Sequence, residues 1–253
     1  MIPARNFRLK TDRYVVIAGL LFITILSWFY IVWLAMEMDP DAPNMHAWGV
    51  TDFVMMFVMW SVMMVAMMTP SVSPMVLVFH QVYQKREKIK RPIIPTFLFL
   101  SAYLVVWTLF SLAATLLQWG LHSAALLSPM MVSTSPLLGG VILILAGIFQ
   151  FTALKYACLR RCRSPLAFIL QEWNEGTQGA FMLGVKHGIY CVGCCWMLMI
   201  ILFVTGVMNL LWVAIIAGFV LIEKIIPRGY LIGRITGTVL LICGIWLIVK
   251  FYL

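Results

Sequence analysis

The run His187-Gly188-Ile189-Tyr190-Cys191-Val192-Gly193-Cys194-Cys195-Trp196 sets one imidazole and three thiols into an otherwise apolar stretch. On a helix, His187, Cys191 and Cys194 are spaced i, i+4, i+7 and project from one face. Cys195 points about 100° away from Cys194, so the two are not expected to serve one metal from one helix. Thiols beside an imidazole suit a thiophilic ion, copper(I) first and zinc(II) second, better than a hard cation.

Two further groups carry the same chemistry. Cys158 and Cys162 are spaced to share a helical face and lie among Lys155, Arg160, Arg161 and Arg163, cations that favour thiolate character. Upstream, Met55, Met56, Met59, Met63, Met64, Met67 and Met68 crowd one segment. Met55, Met59, Met63 and Met67 form an i+4 ladder, with Met64 and Met68 as a second step, and each step rises roughly 6 Å along a helix. Thioethers stay neutral and unprotonated, so they can take copper(I) in a dry environment that penalises a carboxylate. Each group also has an ordinary packing role, methionine as a filler of irregular gaps and cysteine as a small hydrophobe.

The elements that must position these residues are membrane helices. Of the 253 residues, 63% are hydrophobic and 11% charged, against about 25% charged in soluble domains. Mean hydropathy is +1.01. The expected fold class is all-α, a single polytopic transmembrane bundle of about seven spans. They fall at roughly 14–36, 52–69 (extending to 83), 95–119, 137–154, 181–204, 208–223 and 231–249. A short interfacial helix is expected over about 164–178. Pro70 and Pro74 are expected to kink or break the second span, with Ser71 and Ser73 satisfying freed carbonyls. Asn209 reads as a helix cap, Lys186 as a snorkelling residue, and Glu223-Lys224 as an interfacial ion pair.

The net charge of +9 follows topology. Basic residues collect in alternate links: the N-terminal head, Lys85 to Arg91, Lys155 to Arg163, then Lys224, Arg228 and Arg234. Glu37, Asp39, Asp41 and Asp52 occupy an opposite link. This pattern places the N-terminus inside and the C-terminus outside, and it leaves no concentrated basic surface for nucleic acid. Under that topology every cysteine except Cys243 lies toward the reducing side, so free thiols or metal thiolates are expected rather than structural disulfides. In the opposite link Met36, Met38, Met45 and His46 are interleaved with the acids, a mixture that attracts a cation and offers it soft ligands. No GxxxxGK[ST] motif is present, which argues against ATP-driven pumping by this chain. His80, His122 and Cys243 receive no role.

Three ordered motifs, MWSVMMVAMMTPS, KYACLRRCRSP and G-x2-HGIYCVGCCW, carry a family resemblance from Trp60 to about Gly206. The likeness continues through GVMN and the Glu223-Lys224-x2-Pro227 segment. The chain resembles the domain-of-unknown-function 2182 family of predicted metal-binding bacterial integral membrane proteins. That resemblance implies metal binding in a multi-pass bacterial inner membrane protein, with candidate positions Cys158, Cys162, His187, Cys191, Cys194, Cys195, Met63, Met64, Met67 and Met68. The leading expectation is therefore a soft-metal protein for transfer, uptake or delivery. A membrane thiol-disulfide oxidoreductase, or an assembly factor or subunit of a larger membrane metalloenzyme, are the alternatives. Expected partners are lipid, the metal ion, and a membrane protein or a second copy of the chain.

Overall fold

The structure is a computed structural model that describes residues 4–37, 49–86, 92–124 and 135–252, with side chains from Asp12 onward. Within these residues every regular element is helical: α1 (Ala4–Glu37), α2 (Val50–Arg86), α3 (Ile93–Ser123), α4 (Pro136–Phe149), α5 (Ala153–Arg163), α6 (Pro165–Gln171), α7 (Gly176–Ile200), α8 (Leu202–Thr205), α9 (Leu210–Ile225) and α10 (Gly229–Tyr252). Local sequence sets several boundaries. Ser135, Thr152 and Asn209 each accept a backbone N–H three residues on, which caps α4, α5 and α9. Gly206, at φ +95°, supplies the left-handed turn between α8 and α9.

Five stretches among the described residues are long and apolar enough to cross a membrane: 12–37, 50–86, 93–123, 176–205 and 229–252. A sixth arises if α4 and α5, bent by 63° at their junction, are taken as one span. The expectation of seven is matched only that far. The segment read as a span over 208–223 is α9, whose 16 residues reach about 24 Å, less than the ~30 Å hydrocarbon core. The expected interfacial helix is the shorter α6.

The prolines do not break α2, which is assigned as one helix through Pro70 and Pro74. Ser71 and Ser73 donate to the carbonyls of Met68 and Thr69. They do not reach Ala66 and Pro70, whose usual i+4 donors the prolines remove. Burial identifies the centre of the bundle: half of the most apolar window of α7 is buried, against 22% for α1 and 17% for α10. Phe22, Ile25 and Phe29 on α1 lie exposed, as expected of a surface solvated by acyl chains.

Glycines let the helices approach. A Cβ at Gly184 would overlap the Phe99 carbonyl, and one at Gly188 would lie 2.8 Å from Val106, so α7 packs closely on α3. Gly140 and Gly147 of α4 face Gly244 and Gly237 of α10 in the same way. A side chain at Gly244 would meet the Gly140 carbonyl at 2.8 Å and the Ile144 amide at 3.0 Å. Gly244→Leu is therefore expected to destabilise the detergent-purified protein by about 1–3 kcal/mol, read as a lower unfolding midpoint. Gly19→Ala, where a Cβ meets nothing within 4 Å, leaves the midpoint unchanged or slightly raised.

Candidate metal centre

Four helices, α2, α3, α5 and α9, bring side chains to the thiol cluster of α7. His187, Cys191, Cys194 and Cys195 are all buried, as the helical spacing requires for the first three. Cys195, expected to point about 100° from Cys194, is buried as well. Its Sγ donates to the Cys191 carbonyl at 2.8 Å, and Cys194 Sγ reaches the same oxygen at 3.1 Å. Cys162, from α5, lies within side-chain hydrogen-bonding reach of both Cys191 and Cys194. Cys158 sits one turn away at the edge, its Sγ filling the space beside Gly193. All of these cysteines are free.

The group at the centre is one that sequence reasoning placed elsewhere. Lys224, read as an interfacial residue, is buried and donates to Cys191 Sγ at 2.9 Å and to Ser71 Oγ at 3.1 Å. Tyr103 Oη lies 3.1 Å from the same sulfur. An ammonium has donors only, so Cys191 must accept from Lys224, the pairing that stabilises negative charge on sulfur. Ser71 also links the cluster to the methionines, its hydroxyl lying 3.9 Å from Met68 Sδ.

The Glu223-Lys224 ion pair expected from the sequence is not formed. Glu223 instead accepts from buried Lys155 of α5 at 2.5 Å, and Lys155 also donates to Gln150 Oε1. Gly233 on α10 leaves room for this network, since a Cβ there would collide with the Glu223 carboxylate. Lys186, the expected snorkelling residue, donates to Glu172 Oε2 at 2.7 Å. That bond, with the charges of Lys186 and Arg161, holds the Glu172 carboxyl below its ordinary range.

His187 is one helical turn from Cys191, walled by the rings of Phe99, Tyr103 and Phe168. Its Nδ1 has no hydrogen-bond partner among the described residues. Met59, Met63, Met64, Met67 and Met68 are buried along α2, but Met55 is 58% exposed and leaves the ladder. Met56 lies inward instead, its Sδ 3.8 Å from Gln118 Nε2, and Gln118 in turn accepts from Trp60 at 2.5 Å. Met36 is exposed at the end of α1, whereas Met38, Met45 and His46 lie outside the described residues.

No three or more His, Cys, Asp or Glu side chains among the described residues are arranged to hold a metal ion. The centre is thus a thiol cluster occupied by a lysine, with thioethers leading to it. The neighbouring ion pair supplies a test of how the cluster is held. Glu223→Met strands the Lys155 ammonium and is expected to cost about 3–5 kcal/mol of stability. The double variant Lys155→Met with Glu223→Met should recover most of that loss, with the coupling read from a double-mutant cycle of unfolding midpoints.

No curated protein and no solved structure matches the chain. A family described as PpoB2, copper chaperone, matches residues 57–247, which takes in Met59, Met63, Met64, Met67 and Met68 and every thiol discussed above. It supports a copper-related family without bearing on the domain-of-unknown-function label in particular. Over three quarters of its length, from the α2 methionines to α10, this chain belongs to the copper chaperone family PpoB2.

Proposed function

We propose that this chain is a multi-pass chaperone of the bacterial inner membrane that carries copper(I) on the thiol cluster of α5 and α7 and hands it to a membrane partner. The observation that carries the reading is the Lys224–Cys191 pair, with Cys162 and Cys194 within reach of the same sulfur. In an apolar interior a thiolate needs a counter-cation. Lys224 is that cation in the ion-free state. Copper(I) binding to Cys191 together with loss of the Cys162 proton to solvent would give a bis-thiolate copper(I) of charge −1, which Lys224, still hydrogen-bonded to Ser71, offsets.

The donor set favours copper(I) over zinc(II). Thiolates and thioethers select the softer ion, while a structural zinc site closes four nitrogen, oxygen or sulfur donors around the metal. Cys162 and Cys191 are the proposed holding pair, a two-coordinate thiolate set of the kind copper(I) accepts, with Cys194, His187, Cys195 and Cys158 in support. Met59, Met63, Met64, Met67 and Met68 form the proposed line of weaker exchange sites along α2. The basic ends of α2 and α5 are proposed to face the cytoplasm, consistent with Arg86 lying 5.2 Å over Trp173, in the link that follows α6.

Copper(I) titration of detergent-purified protein against a chromogenic chelator, under reducing conditions, tests the reading. The wild type should retain copper, and Cys191→Ala with Cys194→Ala should weaken retention at least 100-fold. Met63→Leu with Met67→Leu should slow loading while leaving the affinity within about threefold. Unchanged retention in the cysteine variant would show that the thiol cluster is not the carrier.

A further inference from the structure

The basic end of α5 holds two adjoining cavities that the copper chemistry does not use. One, of about 440 Å³, is lined by Arg160, Arg161, Ser164, Ala167, Phe168 and Gln171. The other, of about 370 Å³, shares Arg160 and Ser164 and adds Arg163, Tyr156, Leu159 and Tyr230. Arg160 therefore stands between them. Arg161 is committed to Glu172 and Gln171, and Arg163 donates to the carbonyls of Ile226 and Pro227. Arg160 has no ion-pair partner among the described residues.

Charge and polarity at this place are unbalanced in one direction. Arg161 and Lys186 share one carboxylate, Glu172, and Arg160 adds a cation with no carboxylate paired to it among the described residues. Tyr156 Oη, a hydroxyl able to donate, is buried without a hydrogen-bond partner among the described residues, and its residue lines the second cavity. Apolar surface adjoins the cations: Leu166, Leu170, Ile226 and Tyr230 are all exposed. The 63° bend turns α5 away from the line of α4, and its last turn carries Arg160, Arg161 and Arg163.

From this arrangement we infer that the paired cavities bind an anionic phospholipid, the Arg160 guanidinium gripping its phosphate from between the two chambers. The planar fork of arginine matches phosphate oxygens two at a time. Tyr156 is placed to donate a further hydrogen bond, and Leu166, Leu170 and Tyr230 to lie along the acyl chains. Basic pockets at the ends of membrane helices are suited to such headgroups. The site is independent of the copper reading, because none of its residues is a proposed copper ligand.

Native mass spectrometry of the full chain, with phosphatidylglycerol, cardiolipin, phosphatidylcholine or inorganic phosphate added in turn, tests the inference. The expected result is retention of the anionic phospholipids in preference to phosphatidylcholine, weakened at least tenfold by Arg160→Gln. Arg160→Lys should recover only part of the binding, and Arg228→Gln, a charge removal outside both cavities, should leave it intact. Elution and helical circular dichroism check that each variant is folded. Equal weakening by Arg160→Gln and Arg228→Gln would reduce the effect to diffuse surface charge and overturn the site. Displacement of the lipid by millimolar phosphate alone would overturn the lipid assignment in favour of a free-anion site.

Discussion

The bundle is organised around an ammonium group that has been taken out of water. Burying a lone charge costs several kcal/mol even after the protein relaxes, so Lys224 must have partners from whichever helices can reach it. Cys191 of α7 and Ser71 of α2 provide them, and Tyr103 of α3 completes the environment of the sulfur. Glu223 precedes Lys224 and points about 100° around the same helix, toward Lys155 on α5. Two consecutive side chains thus pin the last turn of a short helix on two sides. The glycines of α4, α7 and α10 serve the same end, because backbones that could not approach closely would leave these polar groups unpaired.

Much of the architecture was legible because it follows from hydropathy and from local chemistry. Apolar runs gave the long helices, and Asn209 acted as the cap that its type and position suggested. The span count was less secure, since hydropathy measures how apolar a segment is and not whether its helix continues. The 137–154 run is apolar throughout, yet its helix stops at Phe149 and turns before Ala153. At Pro70 and Pro74, where a kink or break was expected, α2 does not break and continues through 83 as the extended span required.

The site was half legible. Residue type and spacing marked the α7 thiols, Cys162 and the buried methionines. A ladder drawn at strict four-residue steps drifts around a helix of 3.6 residues per turn, which is why Met55 ends on the exposed face while Met59 and Met63 do not. Tyr103, Ser71 and Lys224 could not be found in the same way. Tyr103 lies 88 residues from Cys191 and Ser71 lies 153 from Lys224, contacts that exist only in the packed state. The one available sign was energetic, since adjacent charges near the end of so apolar a segment call for partners.

The carbonyl of Cys191 accepts the thiols of both Cys194 and Cys195, so those side chains are satisfied before any ion arrives. A ligand that already holds a hydrogen bond of about 1 kcal/mol must give it up in order to coordinate, and regains it on release. Back-bonding of this kind acts as a spring set against tight binding: it trims affinity on loading and offers each vacated sulfur an immediate resting place. Under the proposed copper-carrying role, which is measured by turnover of cargo rather than by retention, such a half-satisfied pocket would be better suited than one with idle ligands.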